Sequence, residues 1–141
     1  MNVQPYLFFE GRAEEALDFY TKALDTKPDM VMRYREAPDP PPPGMMPPGT
    51  EDKVMHASFK VGDTSVMLSD GVCSGTLNFG GFSLALVAVD ERDAHRKFDA
   101  LATGGEVTMP LGKTFWSPCF GMLTDRFGVG WMVSVASEGS A

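Results

Sequence analysis

Basic residues and cysteines are both scarce in this chain, and each shortage excludes a class of protein. Lys and Arg number 12 against 19 Asp and Glu, which gives a formal net charge of −7. Without a Lys/Arg cluster the chain lacks the surface that attracts a nucleic acid or an anionic membrane, so we expect neither as a partner. The two cysteines, Cys73 and Cys119, have no CxxC spacing. We interpret them as free thiols in a reducing compartment, with one disulfide between them as the alternative.

Long apolar runs are also missing. Residues 1–12 have neither the basic start nor the apolar run of a signal peptide, and no stretch approaches the ~20 apolar residues of a membrane-spanning helix. We therefore expect a cytoplasmic protein. What is present is an ordinary globular balance of 43% hydrophobic and 22% charged residues, and a length of 141 residues suits one domain with its own core.

The first half of the sequence predicts a strand, a helix and three more strands. The β-branched and aromatic run at 3–9 indicates a buried strand, and the apolar stripe from Ala13 to Leu24 indicates an amphipathic helix. Further strands, the last two joined by a hairpin turn, are predicted at 30–35, 55–61 and 64–69.

The second half repeats this order. Asp90 is the predicted N-cap of a helix that ends at Gly104 and Gly105. Strands are predicted around that helix at 82–89, 106–109, 120–124 and 129–135. The sequence therefore predicts an α+β fold in which two β-α-β-β-β modules form mixed or antiparallel curved sheets around a cleft. We assign one domain, 1–141, with modules at about 1–70 and 82–137.

One segment breaks the pattern. Residues 36–52 contain seven prolines and two glycines, and proline lacks the amide donor that a sheet needs. We predict a long loop or flap here, either a lid over the cleft or a flexible connection.

Three segments carry a family resemblance: PYLFFEGRAEEALDFYTKAL, MHASFKVGDTSVMLSDG and TFWSPCFGMLTDRFGVGWMVSV. Together they resemble the PhnB-like branch of the vicinal-oxygen-chelate superfamily, which includes glyoxalase I and bleomycin-resistance proteins. The likeness runs from about Gln4 to Val135, with the proline-rich segment as the variable part. It implies a glyoxalase-like fold and a homodimer.

The resemblance also implies where a metal would sit. In that superfamily four side chains, two from each half, typically hold a divalent metal that polarises a substrate carbonyl. The matching positions here are Pro5, Met67, Leu84 and Met132. None of these side chains suits a hard divalent cation, so we predict no metal site of the family type and no cofactor. A methyltransferase, which is a second label of this branch, would need a parallel sheet with a glycine-rich turn, and the sequence lacks both.

Six residues are candidates for lining a ligand pocket: His56, Met67, Ser69, Trp116, Trp131 and Met132. His56 lies on the polar face of a predicted strand. It could act as a general base or as a hydrogen-bond donor to a ligand. The favoured interpretation is a half-exposed strand histidine without such a role. Ser69 alternatively forms a turn, and both tryptophans alternatively belong to the core. A Cys119 nucleophile paired with His56 is a further candidate, although no cationic neighbour would lower the thiol pKa.

Two functions follow from the resemblance and the candidate residues. The first is a PhnB-like protein of unresolved activity that binds a small organic molecule in a metal-free cleft. The second is a lyase, isomerase or dioxygenase that uses an atypical metal site or none. A scaffold whose cleft is filled by its own side chains is a third possibility.

Overall fold

Strand and helix follow one another in the predicted order. The computed structural model describes residues 1–39 and 41–136, which divide into two units, one ending at Leu77 and the other beginning at Asn78. Each unit contains one β-α-β-β-β module with a four-stranded mixed sheet, so the predicted α+β fold is confirmed.

The first unit consists of β1 (Tyr6–Phe8), α1 (Ala13–Ala23), β2 (Pro28–Arg33), β3 (Val54–Val61) and β4 (Thr64–Ser69), with a short 3₁₀ helix at Tyr34–Glu36. The strand order is β1-β4-β3-β2, in which β1 runs parallel to β4 and the other neighbours are antiparallel. Helix α1 covers one face of this sheet. Tyr20 of α1 stacks on Phe59 with ring centroids 6.0 Å apart, and both side chains are fully buried. Alternation then places the odd-numbered residues of β3, such as Ala57, on the covered face.

Asp70, directly after β4, joins three parts of the first unit. Its carboxylate accepts backbone N–H bonds from Gly11 at 2.8 Å, from Ala13 at 2.7 Å and from Val54 at 2.8 Å. The residue is 1% exposed. The side chain therefore caps the start of α1 from 57 residues away, and it also ties that start to β3. No local sequence pattern indicates this role, because Asp70 and Ala13 lie 57 positions apart.

The second unit consists of β5 (Ser83–Ala88), α2 (Glu91–Ala102), β6 (Glu106–Gly112), β7 (Cys119–Thr124) and β8 (Gly130–Val135), with the strand order β5-β8-β7-β6. The predicted N-cap is confirmed, since Asp90 accepts the backbone N–H of Asp93 at 2.8 Å. Phe98 and Leu101 of α2 are buried against the sheet. Val133 of β8 lies on the same covered face.

Three predicted boundaries needed correction. Strand β1 is shorter than 3–9, and the predicted end of β2 forms the 3₁₀ helix instead. Strand β6 was predicted to stop at Met109, yet it continues through Pro110 to Gly112. Pro110 is tolerated there because β6 is the edge strand and its register shifts between Met109 and Gly112. Among residues 37–39 and 41–53 there is no helix or strand.

Neither helix in the described part of the chain has the length and apolar character that crossing a membrane requires.

Asp70→Ala should destabilise the protein strongly. We expect a loss of about 3–5 kcal/mol in the free energy of unfolding, because each buried donor left without an acceptor costs about 1–3 kcal/mol. Asp70→Asn retains one acceptor oxygen and should lose less. Urea denaturation measures both, with Asp18→Ala on the exposed side of α1 as the control. Equal stabilities of Asp70→Ala and the control would contradict this role.

Candidate ligand-binding site

The face of the first sheet turned away from α1 carries a mixed set of aromatic, thioether and polar side chains. We call it the first open face, and strand register assigns to it Tyr6, Phe8, Met30, Met32, His56, Ser58, Met67 and Ser69. Tyr6 is 39% exposed and Phe8 is 52% exposed. Aromatic rings of this size normally bury most of their area, so their exposure marks the face as a place where a partner can bind.

A row of three rings runs across the first open face. The centroids of Phe8 and Tyr6 are 5.1 Å apart, and those of Tyr6 and His56 are 5.5 Å apart. The Tyr6 hydroxyl is also 3.0 Å from Nδ1 of His56. His56 is half-buried on this face, as the alternation of β3 predicts, and its role as ligand donor or plain strand residue stays a prediction.

Ser69 lies on the same face as this row. It is 3% exposed, and its hydroxyl oxygen accepts the Gly71 N–H at 2.9 Å. The Tyr34 hydroxyl donates to the carbonyl oxygen of Gly71. Burial raises the pKa of Tyr6 and of Tyr34, and the neighbouring Ser69 hydroxyl lowers it in part. Both phenols therefore stay protonated near neutral pH.

Methionines surround the ring row. Met32 lies directly opposite His56 on β2, and Met67 lies opposite both Tyr6 and Ser58. Thioether side chains are flexible and polarisable, and they adapt to ligands of different shapes. Met67 lies on the first open face, and its role in a ligand pocket stays a prediction.

The face of the second sheet turned away from α2 has a similar character. Met109, Met122 and Met132 are successive register partners across β6, β7 and β8. Met132 is half-buried, and its face is the one turned from the helix. Trp116, in the loop after β6, is 49% exposed and packs edge-on against Phe120 at 5.3 Å. Met132 and Trp116 both remain candidates for contacting a ligand.

Trp131 belongs to the core of the second unit instead. It is 3% exposed, and its indole N–H donates to the Asp125 carboxylate at 2.9 Å. That carboxylate also accepts the backbone N–H groups of Phe127 and Val129, so Asp125 is occupied in holding the turn before β8. Trp131 and Met132 are neighbours in a strand and point to opposite faces, which is why only Met132 remains a pocket candidate.

The register also corrects two of the matched metal positions. The residue of β1 that shares a face with Met67 is Tyr6 and not Pro5, because Tyr6 is the register partner of Met67. In the second unit Met132 pairs with Ala85, whereas Leu84 pairs with Trp131 on the covered face. One residue of offset in a strand exchanges the two faces.

The corrected positions do not fit a hard divalent cation. They offer the hydroxyl of Tyr6, the thioethers of Met67 and Met132, and the methyl group of Ala85. Ions such as Mg²⁺ and Zn²⁺ prefer carboxylate and imidazole ligands. Within residues 1–39 and 41–136 no group of three or more His, Cys, Asp or Glu is arranged to hold a metal. These four side chains would therefore hold such an ion poorly.

The cysteines do not resemble activated nucleophiles. Neither forms a disulfide. Burial raises the pKa of the Cys73 thiol and of the Cys119 thiol, and a nucleophilic thiol needs the opposite shift.

The proline-rich segment encloses space of its own. A cavity of about 450 Å³ lies between Tyr34, Arg35 and the loop residues, which include Pro42, Met46 and Pro48. Whether the segment acts as a lid stays a prediction.

Comparison with known proteins identifies the family. Residues 3–133 match the model of the Glyoxalase/Bleomycin resistance protein/Dioxygenase superfamily. The chain belongs to this superfamily. Protein YjdN of Escherichia coli K12 is 32% identical over 98% of this chain and 97% of its own length.

Solved structures support the PhnB-like branch. Protein PA1353 from Pseudomonas aeruginosa superposes with a TM-score of 0.83 at 37% identity, covering 98% of this chain and 99% of that one. The PhnB protein from Bacillus cereus, described provisionally as a 3-demethylubiquinone-9 3-methyltransferase, has a TM-score of 0.77 at 32% identity and covers 96% of this chain and 100% of that one. The predicted PhnB-like identity is thus confirmed.

Sequence reasoning missed Tyr6 and Phe8. The run 3–9 is apolar at nearly every position, so it predicts a strand buried on both faces. The signal that could have found them is alternation along the strand. Tyr6 and Phe8 point to one face of the sheet, and Leu7 and Phe9 point to the other.

Met67→Glu should be tolerated far better than Leu68→Glu. Met67 is half-buried on the first open face, whereas Leu68 is 0% exposed beneath α1. We expect Met67→Glu to lose under about 2 kcal/mol of unfolding free energy and Leu68→Glu more than about 3 kcal/mol, since burying an unpaired carboxylate is costly. Thermal or urea unfolding of the two variants provides the comparison. Similar losses in both would mean that the first open face is not accessible.

Proposed function

We propose that the chain is a small-molecule binding protein that holds an organic molecule on the first open face. The observation that carries this proposal is the row of Phe8, Tyr6 and His56, whose rings touch one another at 5.1 Å and 5.5 Å while Phe8 and Tyr6 stay well exposed. A planar molecule laid on this row would bury apolar ring surface, and the flanking Met32 and Met67 would adjust to its outline.

The family is compatible with this function. Members of the superfamily commonly bind small molecules and commonly form dimers. We propose that this chain likewise acts as a homodimer in the cytoplasm. Its partner would be a small molecule, and it would bind neither nucleic acid nor a membrane.

Binding can be tested with naphthalene methyl ketone, an uncharged planar probe, and methyl-labelled methionine. We expect saturable shifts of the Met32 and Met67 signals, while Met45 in the proline-rich segment stays unchanged. Phe8→Ser should weaken binding about tenfold because it removes one wall of stacked ring surface.

Phe115→Ser provides the matched control, since Phe115 is 96% exposed in the second unit. If the probe leaves Met32 and Met67 unshifted, or if both variants weaken it equally, the proposed binding face is refuted.

A lyase, isomerase or dioxygenase is the second candidate function. The contact between Tyr6 and His56, at 3.0 Å, favours it, because a phenol and an imidazole in hydrogen-bond contact can exchange a proton with a substrate. Such an enzyme would use either no metal or a metal held by ligands other than the matched family positions.

Elemental mass spectrometry tests the metal-dependent form of the second function. On protein purified without a chelator or a histidine tag, we expect far less than one metal ion per chain. A value near one per chain that falls in His56→Phe would instead favour the enzyme, with His56 as a ligand.

A further inference from the structure

We propose that the molecule bound on the first open face is planar and carries a carbonyl or carboxylate oxygen, which accepts a hydrogen bond from the Nε2–H of His56. This inference rests on the proposed function, and it adds the chemical class of the ligand. It follows from the hydrogen bond between the Tyr6 hydroxyl and His56 and from the proton that each of these two groups carries.

The decisive contact is between Tyr6 and His56. The phenol oxygen of Tyr6 is 3.0 Å from Nδ1 of His56, which is hydrogen-bond distance. A phenol O–H is a stronger donor than the N–H of a neutral imidazole, and a bare imidazole nitrogen is a stronger acceptor than a phenol oxygen. Tyr6 therefore donates its proton to Nδ1.

The protonation of Tyr6 fits this direction. Burial raises the pKa of its hydroxyl, so the phenol keeps its proton and has it available for His56. Tyr34 does not compete for Nδ1, because its own proton goes to the carbonyl oxygen of Gly71.

A neutral imidazole has one N–H, and an Nδ1 that accepts a bond places that N–H at Nε2. Within residues 1–39 and 41–136 no side chain or backbone group hydrogen-bonds this second nitrogen. His56 is half-buried, so a ligand oxygen can replace the solvent as the acceptor.

The surroundings of His56 favour an oxygen acceptor on a flat molecule. None of the eight side chains of the first open face is a carboxylate, so no negative charge among them repels an approaching oxygen. Lys60 continues the same side of β3 as His56 and Ser58. Tyr6 and Phe8 supply a ring surface beside the donor, on which a planar molecule would stack.

The tautomer can be measured directly. Long-range ¹H–¹⁵N spectra of the imidazoles at about pH 8, above the ordinary imidazole pKa of about 6.5, should give the Nε2–H pattern for His56. The exposed His95 of α2 serves as the internal reference. In Tyr6→Phe the Nδ1 signal of His56 should move toward that of His95, because its hydrogen bond is lost. An Nδ1–H tautomer in the unmodified protein would overturn the proposal.

The ligand class can be tested with a matched pair of probes, acetophenone and α-methylstyrene. They have nearly the same shape, but acetophenone has a carbonyl oxygen where α-methylstyrene has a methylene group. Followed through the Met32 and Met67 methyl signals, acetophenone should bind roughly two- to tenfold more tightly, the range expected for one neutral hydrogen bond. Benzoate tests the carboxylate form of the same acceptor.

His56→Phe keeps a ring at this position and removes the donor. In this variant acetophenone should bind no more tightly than α-methylstyrene, and His56→Gln, which retains an N–H donor, should restore part of the difference. If both probes bind the unmodified protein equally, or if His56→Phe preserves the difference, the ligand class is refuted while the binding function stands. If neither probe nor benzoate shifts Met32 or Met67, the proposed function fails as well.

Discussion

The carboxylate of Asp70 is the interaction on which the first unit depends. A helix start, a loop and a strand all need acceptors for backbone N–H groups at the place where they meet, and water has little access there. One side chain provides acceptors for Gly11, Ala13 and Val54. It thereby fixes where α1 begins relative to β3 and β4. With α1 anchored over one face of the sheet, the opposite face is the first open face.

That face combines ring surface with a fixed polar group. Phe8 and Tyr6 remain exposed although they are large and apolar, while the hydroxyl of Tyr6 is hydrogen-bonded to His56. The second sheet has a related composition, with Met109, Met122 and Met132 in one row, but it has no comparable imidazole among its described strand residues. The two faces therefore differ in chemistry even though the modules repeat the same order of elements.

Alternation predicted much of the fold and part of the site. The pattern of β3 predicted that His56 lies on the side opposite Ala57 and Phe59. In the structure Ala57 and Phe59 are buried, and His56 lies on the other face. The same reasoning failed where both faces of a strand are apolar. In β8 the letters around Trp131 and Met132 do not say which face the helix covers, and a single step of register exchanges the two.

Long-range contacts were beyond prediction for a different reason. The bond between Asp70 and Ala13 joins residues 57 positions apart, and no local spacing signals it. The contact of Tyr6 with His56 spans 50 positions and depends on β1 lying beside β4 while β4 lies beside β3. Such contacts can be predicted only once the strand order is known.

Pro110 has a consequence for how the protein behaves at high concentration. An edge strand presents unpaired N–H and C=O groups along its length, and a second chain can extend the sheet by pairing with them. In β6 the proline removes one donor, and the slipped register between Met109 and Gly112 interrupts the even spacing that such pairing needs. This edge is therefore a poor template for aggregation, and the protection comes from the same residue that the sequence suggested would end the strand.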